Sequence, residues 1–218
     1  VGRTKRRDSR QMISRFFDTI EIQPVLTEIQ NDFTSDEYSL TLLAHKFLSF
    51  RKENMSESES LAMLIKASVE LTAQDAPDWE FIAARLLMLQ FKLKLKTELE
   101  KRQIHSFYEK IKYLENEGLY GTYICKAYNR DDLEEAASFI KEERNKLFTY
   151  SALDLLLRRY VIRTHSNTVL ESPQEMFLGI ALHLAMKEKS NRLEWVRRFY
   201  DMMSTLKVTM ATPTLSNA

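Results

Sequence analysis

Along most of this chain apolar residues recur at intervals of three and four, the spacing of helices with one buried face. Met12, Ile13, Phe16, Phe17 and Ile20 predict a short helix that ends before Pro24, and a second helix follows from Val25 to Phe33. Thr34 and Glu37 have capping-box spacing ahead of the stripe Leu40, Leu43, Ala44, Phe47, Leu48. Ser56 and Glu59 repeat that signal ahead of Leu61, Leu64, Ile65, Ser68 and Val69. Asp75-Ala76-Pro77 ends this helix, and Pro77-Asp78 opens another that is apolar on most sides from Trp79 to Leu89. So little polar face predicts a central position in a core. Arg85 interrupts it and, if buried, needs a carboxylate or carbonyl partner. Phe91 to Lys96 alternates with period two, but its continuity with the helix and its lack of β-branched residues favour helix over strand.

Ile104, Phe107, Tyr108, Ile111 and Leu114 predict an amphipathic helix stopped at Gly118. Asp131, Asp132, Glu134 and Glu135 suit the N-terminus of the next one. Leu153, Leu156, Leu157 and Tyr160 predict a helix ending near Arg159. Tyr160–Arg163 and Thr168–Glu171 flank Thr164-His165-Ser166-Asn167 and read as a small β-hairpin. Ser172-Pro173-Gln174-Glu175 combines an N-cap, a proline at the first helical position and a capping-box glutamate. The stripe it opens is Met176, Phe177, Ile180, Ala181, Leu184 and Ala185. A last helix carries Trp195, Val196, Phe199, Tyr200 and Met203. Beyond it Leu206, Val208 and Met210 alternate with polar residues, which predicts a strand with one buried face. Thr212-Pro213-Thr214-Leu215-Ser216-Asn217 follows, and small hydroxyls and backbone amides after a strand are good donors to an anion. A disordered tail accounts for these residues equally well.

Composition narrows the classes. Four glycines and four prolines in 218 residues argue for long helices and few tight turns. A net charge of +1 makes nucleic acid a poor partner. The single cysteine, Cys125, excludes an intrachain disulfide framework and fits a reducing, cytoplasmic compartment. No apolar run is long enough to cross a bilayer. The chain opens without methionine, so residues ahead of Val1 are expected. His45, His105, His165 and His183 lack a Glu or a second His at metal-site spacing, so no metal is expected. His45 reads as a partly buried histidine, His183 lies off its helix's apolar face, and Cys125 reads as a semi-buried structural thiol. Met202, Met203 and Met210 read as core filler. Phosphate loop, nucleophile elbow and dinucleotide fingerprint are all lacking. The basic run Gly2–Asp8 reads as a solvated terminus, with a nucleic-acid arm as the disfavoured rival.

Wording adds what periodicity does not. "KVTMATPTLSNA", "QDAPDWEFIAARLL", "NKLFTYSALDLL", "SPQEMFLGIALHLA" and "RRFYDMMSTLKV" resemble, in family order from about Gln74 onward, the large (alpha) subunit of class I-like ribonucleotide reductases. The resemblance implies a mainly α fold: a helical N-terminal domain (74–205) with a small β-hairpin, then the first strand and turn of the α/β catalytic barrel (206–218). The family's barrel continues further, and its catalytic cysteines would fall beyond Ala218, so the chain alone is expected to be inactive. It implies reduction of ribonucleoside diphosphates by radical chemistry, with Thr212 helping to bind the substrate phosphate. Partners implied are a metal-radical small (beta) subunit, a thioredoxin-type reductant and a second alpha subunit. "VGRTKRRDSRQMI" looks like part of an ATP-cone hairpin, so residues 1–73 resemble a partial or degenerate cone in which Lys5, Arg6 and Arg7 would pair with ATP or dNTP effector phosphates. A non-enzymatic helical interaction module is the alternative reading.

Overall fold

The computed structural model of the protein describes residues 9–217, with side chains as far as Leu215. Residues 9–14 are helical (α1). Eleven helices follow: α2 Gln23–Asp32, α3 Leu40–Phe50, α4 Glu57–Glu70, α5 Trp79–Lys101, α6 Phe107–Asn116, α7 Tyr123–Ala127, α8 Arg130–Ala137, α9 Tyr150–Arg159, α10 Pro173–Ala185, α11 Arg192–Ser204 and α12 Thr212–Asn217. Short 3-10 turns occupy Asp36–Tyr38 and Glu142–Leu147. The chain divides into two compact units, Val1–Phe91 with Phe148–Asp154, and Lys92–Leu147 with Leu155–Ala218.

In the first unit Ile13, Leu26, Ile29, Leu43, Phe47, Leu61, Leu64, Trp79 and Ile82 are buried, the apolar stripes of α1 to α5. Ser56 and Glu59 form the capping box of α4 as the spacing predicts. The next residue, Glu57, accepts the backbone N–H groups of Asp18, Thr19 and Ile20. These bonds, led by the one from Thr19, hold its carboxyl at about 2, so an anion ties α4 to the 18–20 loop. Arg85 finds two carboxylates, Asp32 at 2.9 Å and Glu28 at 3.3 Å, with its guanidinium over the Phe33 ring. The Thr34–Glu37 capping box does not form. Tyr38 is buried, its ring 6.1 Å from that of Trp79, and the Trp79 indole donates to the Glu37 carbonyl. That packing holds Asp36–Tyr38 as a 3-10 turn, and α3 starts from Ser39 without a side-chain cap. His45 is exposed rather than partly buried.

The second unit is built on α10, ten of whose thirteen residues are buried. Its Ser172/Glu175 capping box is complete. It packs chiefly against α11 and also touches α8, α12 and the Glu142–Leu147 turn. A chain of polar groups crosses this core. The Tyr200 hydroxyl donates to Gln174 Oε1 at 2.7 Å, Gln174 Nε2 donates to Asn145 Oδ1 at 3.0 Å, and Asn145 Nδ2 donates to Glu142. Gln174 is fully buried, and its side-chain oxygen and nitrogen are both paired, as burial demands. Of the predicted apolar positions, Leu184 and Met202 are instead exposed at 39% and 46%, and Met210 is half-buried.

Two strand predictions fail among the described residues. The segment after Tyr160 does turn back on itself, but pairing stops at one antiparallel bridge, Arg163 to Val169. Neighbouring groups are used otherwise. Glu171 turns its carboxylate to the Ile162 N–H, the Arg163 guanidinium donates to the Leu157 carbonyl, and Ser172 already caps α10. No β-hairpin of two strands results. The barrel strand at Leu206–Met210 is also absent. Leu206 adopts a positive φ of 57°, and the N–H groups of Leu206 and Lys207 return to the carbonyls of Met203 and Met202. This is a Schellman ending of α11, built on a leucine where glycine is usual. Leu206 and Val208 are exposed at 47% and 37%, so the alternating positions have no buried face.

Candidate functional site

α12 begins at Thr212, so the residue expected after a strand stands instead at the head of a short helix. Thr212 is exposed, and its Oγ1 lies 3.1 Å from the Tyr160 hydroxyl. Tyr160 is placed by the C-terminus of α9, where its N–H continues the helix onto the Leu156 carbonyl. Beside the pair lies a cavity of about 160 Å³ whose walls include Tyr120, Tyr160, Ile162, Glu171, Ile180 and Leu215 of α12.

Glu171 is the carboxyl group of that wall, and it is 4% exposed. Its Oε2 accepts the Ile162 N–H at 3.0 Å, and the Tyr120 hydroxyl donates to its Oε1 at 3.5 Å. Burial dominates these bonds and the pull of Lys110, and Glu175 adds repulsion, so the carboxyl is pushed up to about 8. Glu171 is therefore largely protonated at neutral pH. Loss of water around the Tyr120 phenol, together with Glu171, keeps that group protonated as well. In the first turn of α10, Glu175 is paired with Lys110 of α6 at 2.5 Å. Gly179 makes room for this arrangement, since a Cβ there would lie 2.1 Å from the Tyr120 hydroxyl. The cavity wall thus presents neutral hydroxyl and carboxyl groups, while the exposed Thr212–Tyr160 pair offers donors at its edge.

Of the residues predicted to act, only Thr212 falls here. Lys5, Arg6 and Arg7 lie outside the described residues. Cys125 is half-buried and its thiol is pushed up to about 11, by burial first and then by Glu115, so it is no nucleophile at neutral pH. Among the described residues no three His, Cys, Asp or Glu side chains converge on a possible metal position. No helix among them is long and apolar enough to cross a membrane. Tyr160, Glu171 and Tyr120 were not legible as site residues. Tyr160 and Thr212 are 52 positions apart, and nothing local announces their meeting.

A family model described as the all-alpha domain of ribonucleotide reductase matches residues 146–218. The ribonucleoside-diphosphate reductase subunit alpha of Treponema pallidum is 61% identical over 216 residues, 99% of this chain and 26% of the relative. The chain belongs to the ribonucleotide reductase alpha-subunit family. The alpha subunit of Helicobacter pylori strain 26695 is 33% identical over 173 residues, covering 78% of the chain and 21% of the relative. That of phage T4 is 29% identical over 205 residues, 94% of the chain and 26% of the relative. The chain thus spans about a quarter of the length of these reductase subunits. The match to the all-alpha domain agrees with the mainly helical fold and contains both Tyr160 and Thr212.

Proposed function

We propose that the protein carrying this chain reduces ribonucleoside diphosphates to deoxyribonucleotides, and that this portion supplies the helical scaffold and one phosphate ligand, Thr212. The observation that carries the reading is the 61% identity to a ribonucleoside-diphosphate reductase alpha subunit along nearly the whole chain. Thr212 supports it chemically: it is an exposed hydroxyl residue, able to donate to a phosphate oxygen, on a short helix whose Leu215 lines a cavity. In this reading residues 206–218 lead into the catalytic domain that carries the reacting cysteines. The radical comes from the metal site of a separate small subunit, electrons come from a thioredoxin-type reductant, and two alpha subunits pair in the cytoplasm. Residues 1–73 are the place for an effector nucleotide, with Lys5, Arg6 and Arg7 as its phosphate ligands. A purely structural helical module is not favoured by this kinship.

The test is Thr212→Val in the complete alpha subunit, assayed with its small subunit. Valine keeps the shape and removes the hydroxyl. KM for CDP should rise about tenfold, the scale of one hydrogen bond to a charged group. An unchanged KM would remove Thr212 from the substrate site.

A further inference from the structure

We infer that Tyr160 is a positioning residue for the substrate phosphate, acting through Thr212; this rests on the reading of Thr212 as a phosphate ligand. The two hydroxyl oxygens are 3.1 Å apart, within hydrogen-bond reach. Either could donate in the absence of substrate. Phosphate oxygens are acceptors only, so a threonine that binds them must spend its single proton on the phosphate. Its lone pairs are then what remains for Tyr160, and the phenol is the donor. The order is Tyr160 O–H to Thr212 Oγ1, and Thr212 O–H to phosphate. A donor behind Thr212 selects the rotation that aims its proton outward, and it polarises that O–H so that its bond to an anion strengthens.

The surroundings give Tyr160 a fixed place from which to do this. It closes α9 and is held by the N–H bond to Leu156, and the next residue, Val161, is buried at 4% exposure. Its partner is anchored separately, because Leu215, three residues after Thr212, lines the same cavity as Tyr160. The phenol and the threonine are therefore held from two elements, α9 and α12, and meet at one point.

The experiment compares Tyr160→Phe, Thr212→Val and the double variant in the complete alpha subunit with its small subunit, reading KM and kcat for CDP and the melting temperature. Tyr160→Phe keeps the ring against the cavity and deletes only the hydroxyl. The expected result is a KM raised about three- to tenfold with kcat within about twofold and the melting temperature unchanged. Added to Thr212→Val, it should raise KM no further, because its route to the phosphate is already gone. If Thr212→Val raises KM and Tyr160→Phe does not, the inference fails and the reading of Thr212 stands. If Tyr160→Phe raises KM equally in both backgrounds, Tyr160 acts independently of Thr212 and the inference fails. A lowered melting temperature with kcat and KM both degraded assigns Tyr160 a structural role and overturns it. If Thr212→Val itself leaves KM unchanged, the underlying reading falls and the inference with it.

Discussion

Replacing Glu171 by glutamine should remove a loss of stability that sets in as pH rises. The carboxyl is raised from its ordinary 4.5 to about 8 because it is buried against the cavity wall, beyond the compensation of the Ile162 N–H and Lys110. The folded chain therefore binds a proton over a window in which the unfolded chain has lost it. Unfolding there releases a proton, so stability is full below about 4.5, falls as pH rises and levels off above about 8. Each pH unit in that window is worth up to ~1.4 kcal/mol, so the whole fall amounts to several kcal/mol from this one group. Glutamine is neutral throughout. Its carbonyl can still accept from Ile162, and its amide can donate to the Tyr120 oxygen, so the local bonds are kept. Urea unfolding of parent and Glu171→Gln chains, followed by circular dichroism at several pH values between 4 and 9, isolates the term, because other titrating groups cancel in the difference. The variant should be close to the parent at the acid end and gain on it by several kcal/mol by the alkaline end. Parallel curves, with a constant difference at all pH values, would refute the assignment of a protonated Glu171.

Two further predictions follow from the structure and the family. Gly179→Ala should destabilise the chain by roughly 1–2 kcal/mol despite alanine's better helix propensity, because the new Cβ meets the Tyr120 hydroxyl at 2.1 Å. Adding Tyr120→Phe removes that oxygen and should restore the melting temperature; a single variant as stable as the parent would show that the clash is relieved at no cost. At the basic end, calorimetric titration of ATP and dATP should give micromolar binding that is lost when Lys5, Arg6 and Arg7 are changed to alanine. Heats identical in parent and triple variant would sink the effector role of those residues.

The helices were legible because their determinants are local. Caps such as Ser56/Glu59 and Ser172/Glu175 satisfy backbone groups three residues away, and a 3.6-residue apolar period needs only a core to face. The need of Arg85 for a carboxylate or carbonyl partner was also legible, because a buried arginine on an apolar helix must be paired wherever it lands. Which carboxylates it meets, Glu28 and Asp32, depends on where α2 lies. Strands are different, since a strand is defined by its partner. Leu206, Val208 and Met210 carry the right alternation, yet the backbone turns at Leu206 to close α11, and tertiary structure decides between the two. The Thr34–Glu37 spacing was likewise a sound local signal, overridden when Tyr38 and Trp79 packed together. The site divides along the same line. Thr212 was named through a resemblance carried by its own short segment. Tyr160, Tyr120 and the raised carboxyl of Glu171 arise from burial and from contacts between residues far apart in the chain, and only folding brings those together.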